Sequence, residues 1–147
     1  MTALKRPESA LVILYDRHSQ VLLLQRNDDP VFWQSVTGTV EEDELPLQTA
    51  YREVMEETGI QLDPRKLAIQ DCHTINQYKI RSRWLYRYPK GVTSNTEYVF
   101  AACIDSNVAI TLTEHSAFEW QSKAQAMQTV WSETNRLAIE RFVPEPA

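Results

Sequence analysis

Apolar blocks separated by short polar segments make up the first part of the chain. The runs SALVILYD (9–16) and VLLLQR (21–26) predict two buried strands, and the polar residues between them predict a tight turn. The segment NDDPVFWQS (27–35) predicts a loop with aromatic content, and VTGT (36–39) predicts a short strand that ends at Gly38. We therefore expect a hairpin followed by a third, shorter strand.

The segment from Pro46 to Thr58 has helical periodicity. A proline suits the first turn of a helix, and Gly59 stands where a left-handed C-terminal cap belongs. Residues at positions i, i+4, i+7 and i+11 predict the face that packs against a sheet: Leu47, Tyr51, Val54 and Thr58.

Further strands and a last helix are predicted in the second half of the chain. The strands are KLAIQDCHTI (66–75), YKIRSRWLYRY (78–88) and EYVFAACI (97–104), and TLTEHSAFEW (111–120) predicts a loop leading into a short strand. Ser122 is the expected N-cap of a helix that runs to about Phe142. The order of elements predicts one α/β (α+β) domain over residues 1–147, with helices packed on a mixed sheet.

Composition and charge narrow the class of protein. The net charge of −5 argues against a general binder of nucleic-acid polymers. Apolar runs such as ALVIL are far shorter than the roughly 20 residues of a membrane span, and the N-terminal segment lacks the apolar stretch of a signal peptide. The isolated Cys72 and Cys103 argue against a structural zinc site or a redox pair. We expect a cytoplasmic protein with no membrane partner.

Three carboxylates stand at i, i+3 and i+4 of the predicted helix: Glu53, Glu56 and Glu57. At this spacing the side chains share one helical surface, where like charges repel each other. One interpretation is a solvated face. The other is a site for hard divalent cations, which prefer oxygen ligands and would turn the repulsion into attraction.

The surrounding segment GTVEEDELPLQTAYREVMEETGI (38–60) favours the second interpretation. Its glycines, Glu44, the Arg52–Glu53 pair and the Glu56–Glu57 pair have the spacing of the Nudix box, so the chain resembles the Nudix hydrolase superfamily. Thr39 and Asp43 stand where many relatives have glycine. The resemblance implies a mixed β-sheet sandwiched between α-helices. It also implies divalent metals, Mg²⁺ with Mn²⁺ as the alternative, held against a diphosphate that water cleaves.

The resemblance also implies roles for the charged residues of the box. Glu53 and Glu57 are the expected main metal ligands, and Glu56 is expected to bind metal directly or through water. Glu53, Glu56 and Arg52 form the predicted catalytic set, with Arg52 fixing the loop by pairing with Glu44. The box leaves open which glutamate is the general base.

Two further features of the predicted metal site lie around the acidic helix. Gly38 is expected to let the loop turn sharply and to bring backbone close to metal or phosphate. In this superfamily a carboxylate outside the box often joins the metals. Glu114, in a predicted loop before a strand, is the preferred candidate over Glu97, which is expected to be the solvated end of a strand.

Basic residues predict where a phosphorylated substrate binds. Lys79, Arg81 and Arg83 alternate along the predicted strand 78–88 and would project from one of its faces. Stretches such as DDPVFWQSVTG and PKGVTSNTE resemble one branch of the superfamily, the bacterial dihydroneopterin triphosphate pyrophosphohydrolases of folate biosynthesis. This second resemblance implies substrate contacts at Lys5, Arg26, Thr37, Tyr78, Lys79, Ile80, Arg81 and Ser132.

The sequence leaves three functions open. The first is hydrolysis of 7,8-dihydroneopterin triphosphate to its monophosphate and pyrophosphate. The second is a broader nucleoside triphosphate pyrophosphohydrolase that acts on dATP or on oxidised nucleotides such as 8-oxo-dGTP. The third is a silent domain that only binds a ligand or a partner protein, which the retained glutamates of the box argue against. The expected partner is a small-molecule triphosphate, and the oligomeric state is left open with a monomer favoured.

Overall fold

A mixed β-sheet forms the centre of the molecule in the computed structural model, which describes residues 4–147. Its strands are β1 (Glu8–Tyr15), β2 (Gln20–Arg26), β3 (Trp33–Gln34), β4 (Val36–Thr39), β5 (Gln70–Lys79), β6 (Ser94–Cys103) and β7 (His115–Ser122). The main order is β3-β2-β1-β6-β5, while β4 pairs with β1 and β7 with β2. Strands β1 and β6 are parallel, and the other pairs are antiparallel.

Helices cover both faces of this sheet. Helix α1 (Pro46–Thr58) packs on one face, and α2 (Lys123–Thr129) and α3 (Glu133–Phe142) pack on the other. Strand β1 lies between these layers, so its alternate residues enter two separate cores, which explains why its apolar run is continuous. The predicted sandwich of a mixed sheet between helices is confirmed. No helix within residues 4–147 is both long and apolar enough to cross a membrane.

Helix α1 begins and ends where the sequence predicts. Gly59 adopts φ = 75°, and its N–H donates to the carbonyl of Met55, which confirms the left-handed cap. The predicted apolar face is only partly right, because the side of α1 that contacts the sheet is centred on Ala50 and Val54. Leu47 remains 39% exposed.

The strand predicted over 78–88 is wrong for most of its length. Only Tyr78 and Lys79 belong to a strand, the end of β5, and residues Ser82–Arg87 form a 3₁₀ helix. Lys79 pairs with Ser94, the first residue of β6, so the chain beyond it has no partner strand. Local hydrogen bonds, such as Trp84 N–H to the Arg81 carbonyl, take over. Arg81 and Arg83 therefore do not project from a strand face.

The single last helix predicted after Ser122 is two helices. Ser122 does cap α2, accepting from the Gln125 N–H, but α2 ends at Thr129. The chain then runs extended past Trp33, which lies in a segment predicted as loop and forms a bridge with Val130. Ser132 caps α3. A tertiary contact with β3 thus interrupts a segment whose local sequence is helical.

Candidate active site

A cavity of about 550 Å³ opens beside β4 and extends across the sheet towards β5 and α3. It gathers Glu57 and Glu114 with every substrate contact that the sequence predicted: Lys5, Arg26, Thr37, Tyr78, Lys79, Ile80, Arg81 and Ser132. Glu53, Glu56 and Arg52 lie outside its lining. Glu53 nevertheless packs directly against Gly38, which lines the cavity.

Glu57 is the most buried of the three acidic residues of α1, with 3% of its surface exposed. Neither of its carboxylate oxygens has a hydrogen-bond partner within residues 4–147. Nε2 of His115 lies 3.6 Å from Oε1 of Glu57, beyond hydrogen-bond distance. Burial raises the pKa of Glu57 well above its ordinary value, and the nearby carboxylates of Glu53 and Glu114 raise it further. A buried carboxylate without a partner is costly, so the donor set fits a cation ligand.

Glu53 lies over the backbone of β4, and Gly38 makes room for it. A Cβ atom at residue 38 would be 2.0 Å from Cδ of Glu53. Gly38 pairs with Ala10 inside the extended strand and has no positive φ, so the expected sharp turn is wrong. The position requires glycine because a carboxylate approaches closely. Burial is also the main cause that raises the pKa of Glu53.

Arg52 connects the start of α1 to the loop before it. Its Nε and Nη2 donate to the two carboxylate oxygens of Glu44 at 2.7 and 2.9 Å, which confirms the predicted pair. Nη2 also donates to the Thr39 carbonyl at 2.9 Å, and Nη1 donates to Glu53 Oε1 at 2.7 Å. The hydrogen bonds from Arg52 lower the pKa of Glu44 to about 2. In the same loop Asp43 has φ = 63°, which explains why glycine suits this position.

The three glutamates do not share one environment, contrary to the prediction of a common surface. The side chain of Glu53 is 13% exposed, whereas that of Glu56 is 56% exposed and contacts Arg52 at 3.1 Å. Glu53 and Glu57 are one helical turn apart and face inwards, while Glu56 points to the outside. Within the described chain, no three His, Cys, Asp or Glu side chains already form a group that could hold a metal ion.

Glu114 and His115 approach the buried end of α1 from the start of β7. Glu114 is exposed, lines the cavity and is close enough to raise the pKa of Glu57. Burial lowers the pKa of His115, which favours the neutral imidazole beside Glu57. His115 is not among the site residues predicted from the sequence. Its position next to Glu114 was the available signal.

Basic side chains form the neighbouring part of the cavity wall. Burial is the main cause that lowers the pKa of Lys5, and the charges of Arg87 and Arg26 lower it further. Arg26 is held by two 2.7 Å hydrogen bonds to Asp28. Three cations that repel each other here are suited to a polyanion. Arg87 is an addition to the predicted contacts.

The far end of the cavity is polar but contains few charges. Asn95 donates to Tyr78 Oη at 3.0 Å and to Ser9 Oγ at 2.8 Å, and burial raises the pKa of Tyr78 to about 12. Glu97 is buried here with 4% exposed, so the expected solvated strand end is wrong. It lies between Ser9 of β1 and Asn76 of β5, and strands on both sides cover it. The sequence predicted Tyr78 at this end but not Asn95 or a buried Glu97, because these residues come from separate strands.

Aromatic rings surround Arg81 rather than leaving it free in the cavity. The rings of Phe32 and Trp131 stack with centroids 4.7 Å apart, and Trp84 meets both edge-on. The Arg81 guanidinium lies 4.9 Å from the Phe32 ring centroid and 5.5 Å from that of Trp131. Cation–π contacts of this kind hold the 3₁₀ segment against β3. Arg81 therefore contributes to the cavity wall as well as to its charge.

Comparison with known proteins gives consistent matches over nearly the whole chain. The NUDIX domain family matches residues 5–142. Dihydroneopterin triphosphate diphosphatase of Escherichia coli (strain K12) is 45% identical over 140 residues, covering 95% of this chain and 93% of that protein. The Haemophilus influenzae protein of the same name is 36% identical over 144 residues, covering 97% and 91%. The solved structure of the E. coli dihydroneopterin triphosphate pyrophosphohydrolase superposes with a TM-score of 0.91 at 44% identity, covering 97% and 98% of the two chains.

Proposed function

Because the chain belongs to the Nudix hydrolase family, we propose that it cleaves a phosphoric anhydride bond of 7,8-dihydroneopterin triphosphate, releasing dihydroneopterin monophosphate and pyrophosphate. The observation that carries this proposal is the likeness to dihydroneopterin triphosphate diphosphatases along nearly the whole chain. The cavity supports it because carboxylates and cations stand at one end and buried hydrogen-bonding groups at the other. A step of folate biosynthesis follows from this substrate.

The carboxylates of α1 are the proposed ligands of the divalent metal that Nudix hydrolases use. We assign Glu53 and Glu57 as direct ligands of Mg²⁺, or of Mn²⁺, because Glu57 lines the cavity without a protein partner and Glu53 packs against Gly38 in the cavity wall. Glu56 contributes through water, and Glu114 closes the site from β7. When bound, the metal supplies neutralisation of phosphate charge and acidification of the attacking water.

The remaining residues bind and position the substrate. Lys5, Arg26 and Arg87 hold the phosphate oxygens, since Arg26 presents a planar guanidinium fixed by Asp28. Glu53 and Glu56 are the catalytic candidates for accepting a proton from water, and Arg52 positions Glu53 through its 2.7 Å hydrogen bond. The other substrate contacts along the cavity wall are assigned to Thr37, Tyr78, Lys79, Ile80, Arg81 and Ser132.

A substrate panel in ¹⁸O-labelled water tests this proposal directly. We expect kcat/KM for dihydroneopterin triphosphate to exceed the values for dATP and 8-oxo-dGTP by about tenfold or more, because a pocket fitted to one ring discriminates against another. The label should appear in only one product, which identifies the attacked phosphorus. A tenfold preference for dATP or 8-oxo-dGTP would replace the pterin assignment with the nucleotide alternative.

A further inference from the structure

Glu97 is a buried carboxylate that the proposed hydrolysis does not use. It lines the cavity, is 4% exposed, and forms no ion pair with a basic side chain in residues 4–147. Thr39, Ser9 and Glu97 form a row across β4, β1 and β6. Two strand spacings therefore separate Glu97 from the β4 edge beside Glu53, which is roughly 10 Å.

The hydrogen bonds of Glu97 leave acceptor capacity on a side chain that lines the cavity. Its Oε1 accepts from Asn76 Nδ2 at 3.3 Å, and Thr134 also contributes a hydrogen bond. An ionised carboxylate has about four acceptor positions, so about two remain. Its other buried neighbours are already engaged: Asn95 donates to Ser9 and Tyr78. Glu97 is thus a buried carboxylate at this end with spare acceptors and no donor of its own.

Asn135, on the adjoining wall, is likewise hydrogen-bonded within the protein. Its amide group donates to Ser35 Oγ at 2.9 Å and accepts from the Ser35 N–H at 2.9 Å. These bonds fix α3 to the sheet and hold the wall beside Glu97 in place. A ligand ring that enters this end therefore meets a rigid, anionic acceptor.

We propose that Glu97 is the specificity residue for the ring, accepting hydrogen bonds from the ring N3–H and the 2-amino group of a 2-amino-4-oxopyrimidine edge. This assignment rests on the proposed function for the identity of the pterin. The same pair of donors occurs on guanine as N1–H and the 2-amino group, and adenine lacks it. The bicyclic ring and its three-carbon side chain separate this edge from the triphosphate, as Glu97 is separated from the acidic helix.

The physical basis of the selectivity is the cost of an unmet acceptor. A carboxylate paired with two N–H donors forms charge-assisted hydrogen bonds in a buried setting. Adenine would present an acceptor nitrogen to the same carboxylate and leave it unsatisfied. Discrimination therefore comes as much from the unfavourable contact with adenine as from the favourable hydrogen bonds with the correct ring.

Glu97→Gln tests this role because it preserves shape while replacing one acceptor by a donor. We expect kcat/KM for dihydroneopterin triphosphate and dGTP to fall about 10- to 100-fold, mainly through KM. We expect dATP to be hydrolysed equally well or better, since an amide complements adenine. Glu119→Gln, on the exposed surface of β7, is the matched control and should leave all values unchanged.

The proposal is decided by how Glu97→Gln changes the ratio of kcat/KM for dGTP to kcat/KM for dATP. An equal loss on both nucleotides, or an unchanged ratio, would overturn it. Should the variant not fold, wild-type protein provides the same decision with dITP, which lacks the 2-amino group: we expect a KM about tenfold above that of dGTP, and equal KM values would refute the role of Glu97. Wild-type preference for dihydroneopterin triphosphate in the panel above tests the proposed function separately.

Discussion

The two ends of the cavity differ in how the chain forms them. One continuous segment forms the end proposed to bind phosphate (the phosphate end), whereas separate strands and a helix form the end proposed to bind the ring (the ring end). At the phosphate end, the continuous segment 38–60 supplies the glycine, the arginine and the carboxylates, and both carboxylate oxygens of Glu57 remain without a hydrogen-bond partner in the described chain. At the ring end, β5, β6 and α3 each supply one or two polar side chains, and most of these are satisfied within the protein. The phosphate end is thus incomplete without a cation, whereas the ring end is nearly complete before a ligand arrives.

This difference predicts a division of labour between the ends. The unpaired carboxylate of Glu57 and the clustered cations stabilise bound charge electrostatically, so changes at the phosphate end should alter kcat. Satisfied amides and one spare acceptor provide rigid recognition, so changes at the ring end should alter KM and selectivity. Substitutions at each end can break this division or sharpen it.

The largest effect is expected from Glu57→Gln. Loss of the charged ligand should lower kcat roughly 10²- to 10³-fold with Mg²⁺, because the carboxylate neutralises and positions the cation. The metal-free variant should be more stable by on the order of 1 kcal/mol, since a neutral amide costs less to bury than an unpaired carboxylate. Steady-state kinetics and urea unfolding measure these two changes, and Mn²⁺ titration calorimetry measures the weaker metal binding expected with them.

Glu42→Gln is the matched control for this experiment, since Glu42 is exposed in the loop that precedes α1. It should preserve kcat, Mn²⁺ affinity and stability. Wild-type kcat in Glu57→Gln would show that Glu57 holds no metal during turnover and would remove the proposed difference between the two ends.

An intermediate effect is expected from Gly38→Ala. The added methyl group would overlap Cδ and Cγ of Glu53, at 2.0 and 2.3 Å, and force the carboxylate away from Arg52. We expect kcat to fall about 10- to 100-fold, as for loss of a group that orients a metal ligand. Kinetics and thermal unfolding of the variant test this.

Gly91→Ala separates this effect from backbone strain. Gly91 has φ = 89° and no atom within 4 Å of an added Cβ. The variant should lose about 1–2 kcal/mol of stability through the left-handed backbone and keep its kcat. If Gly38→Ala behaved like Gly91→Ala, close approach of Glu53 would not be the reason for glycine in β4.

The two ends also differ in how far the sequence predicts them. The Gly59 cap and the Arg52–Glu44 pair were predictable because their partners lie within a few turns along the chain. The Asn135–Ser35 pair joins residues 100 positions apart, and no local period marks it. The burial of Glu97 is not predictable from the sequence for the same reason, because it depends on both neighbouring strands.

The missed 3₁₀ helix and the split final helix have the same origin. Alternating residues over 78–88 favour a strand, but β6 begins at Ser94 and offers no partner beyond Lys79. Likewise the bridge between Trp33 and Val130 interrupts a sequence that is helical by local preference. Local propensity predicts helices and strands, but contacts with neighbouring strands determine at which residue each element ends.

The smallest effect is expected in the pH dependence of stability, where Glu44 from the phosphate end and Glu97 from the ring end should behave in opposite ways. Hydrogen bonds from Arg52 lower the pKa of Glu44 to about 2, so its ionised form stabilises the fold above its unfolded pKa and this contribution is lost as the pH falls towards 2. Burial raises the pKa of Glu97, so its ionised form costs stability at neutral pH and the cost disappears below its unfolded pKa.

Glutamine variants should therefore shift the free energy of unfolding in opposite directions. At pH 7 we expect Glu44→Gln to be less stable than the wild type by on the order of 1 kcal/mol, after allowance for solvent screening, and Glu97→Gln to be more stable. Both differences should shrink in urea titrations between pH 7 and 3, while Glu42→Gln stays flat. Destabilisation by both variants at pH 7 would mean that Glu97 is satisfied by its protein partners, which would leave it no acceptor to offer a ring.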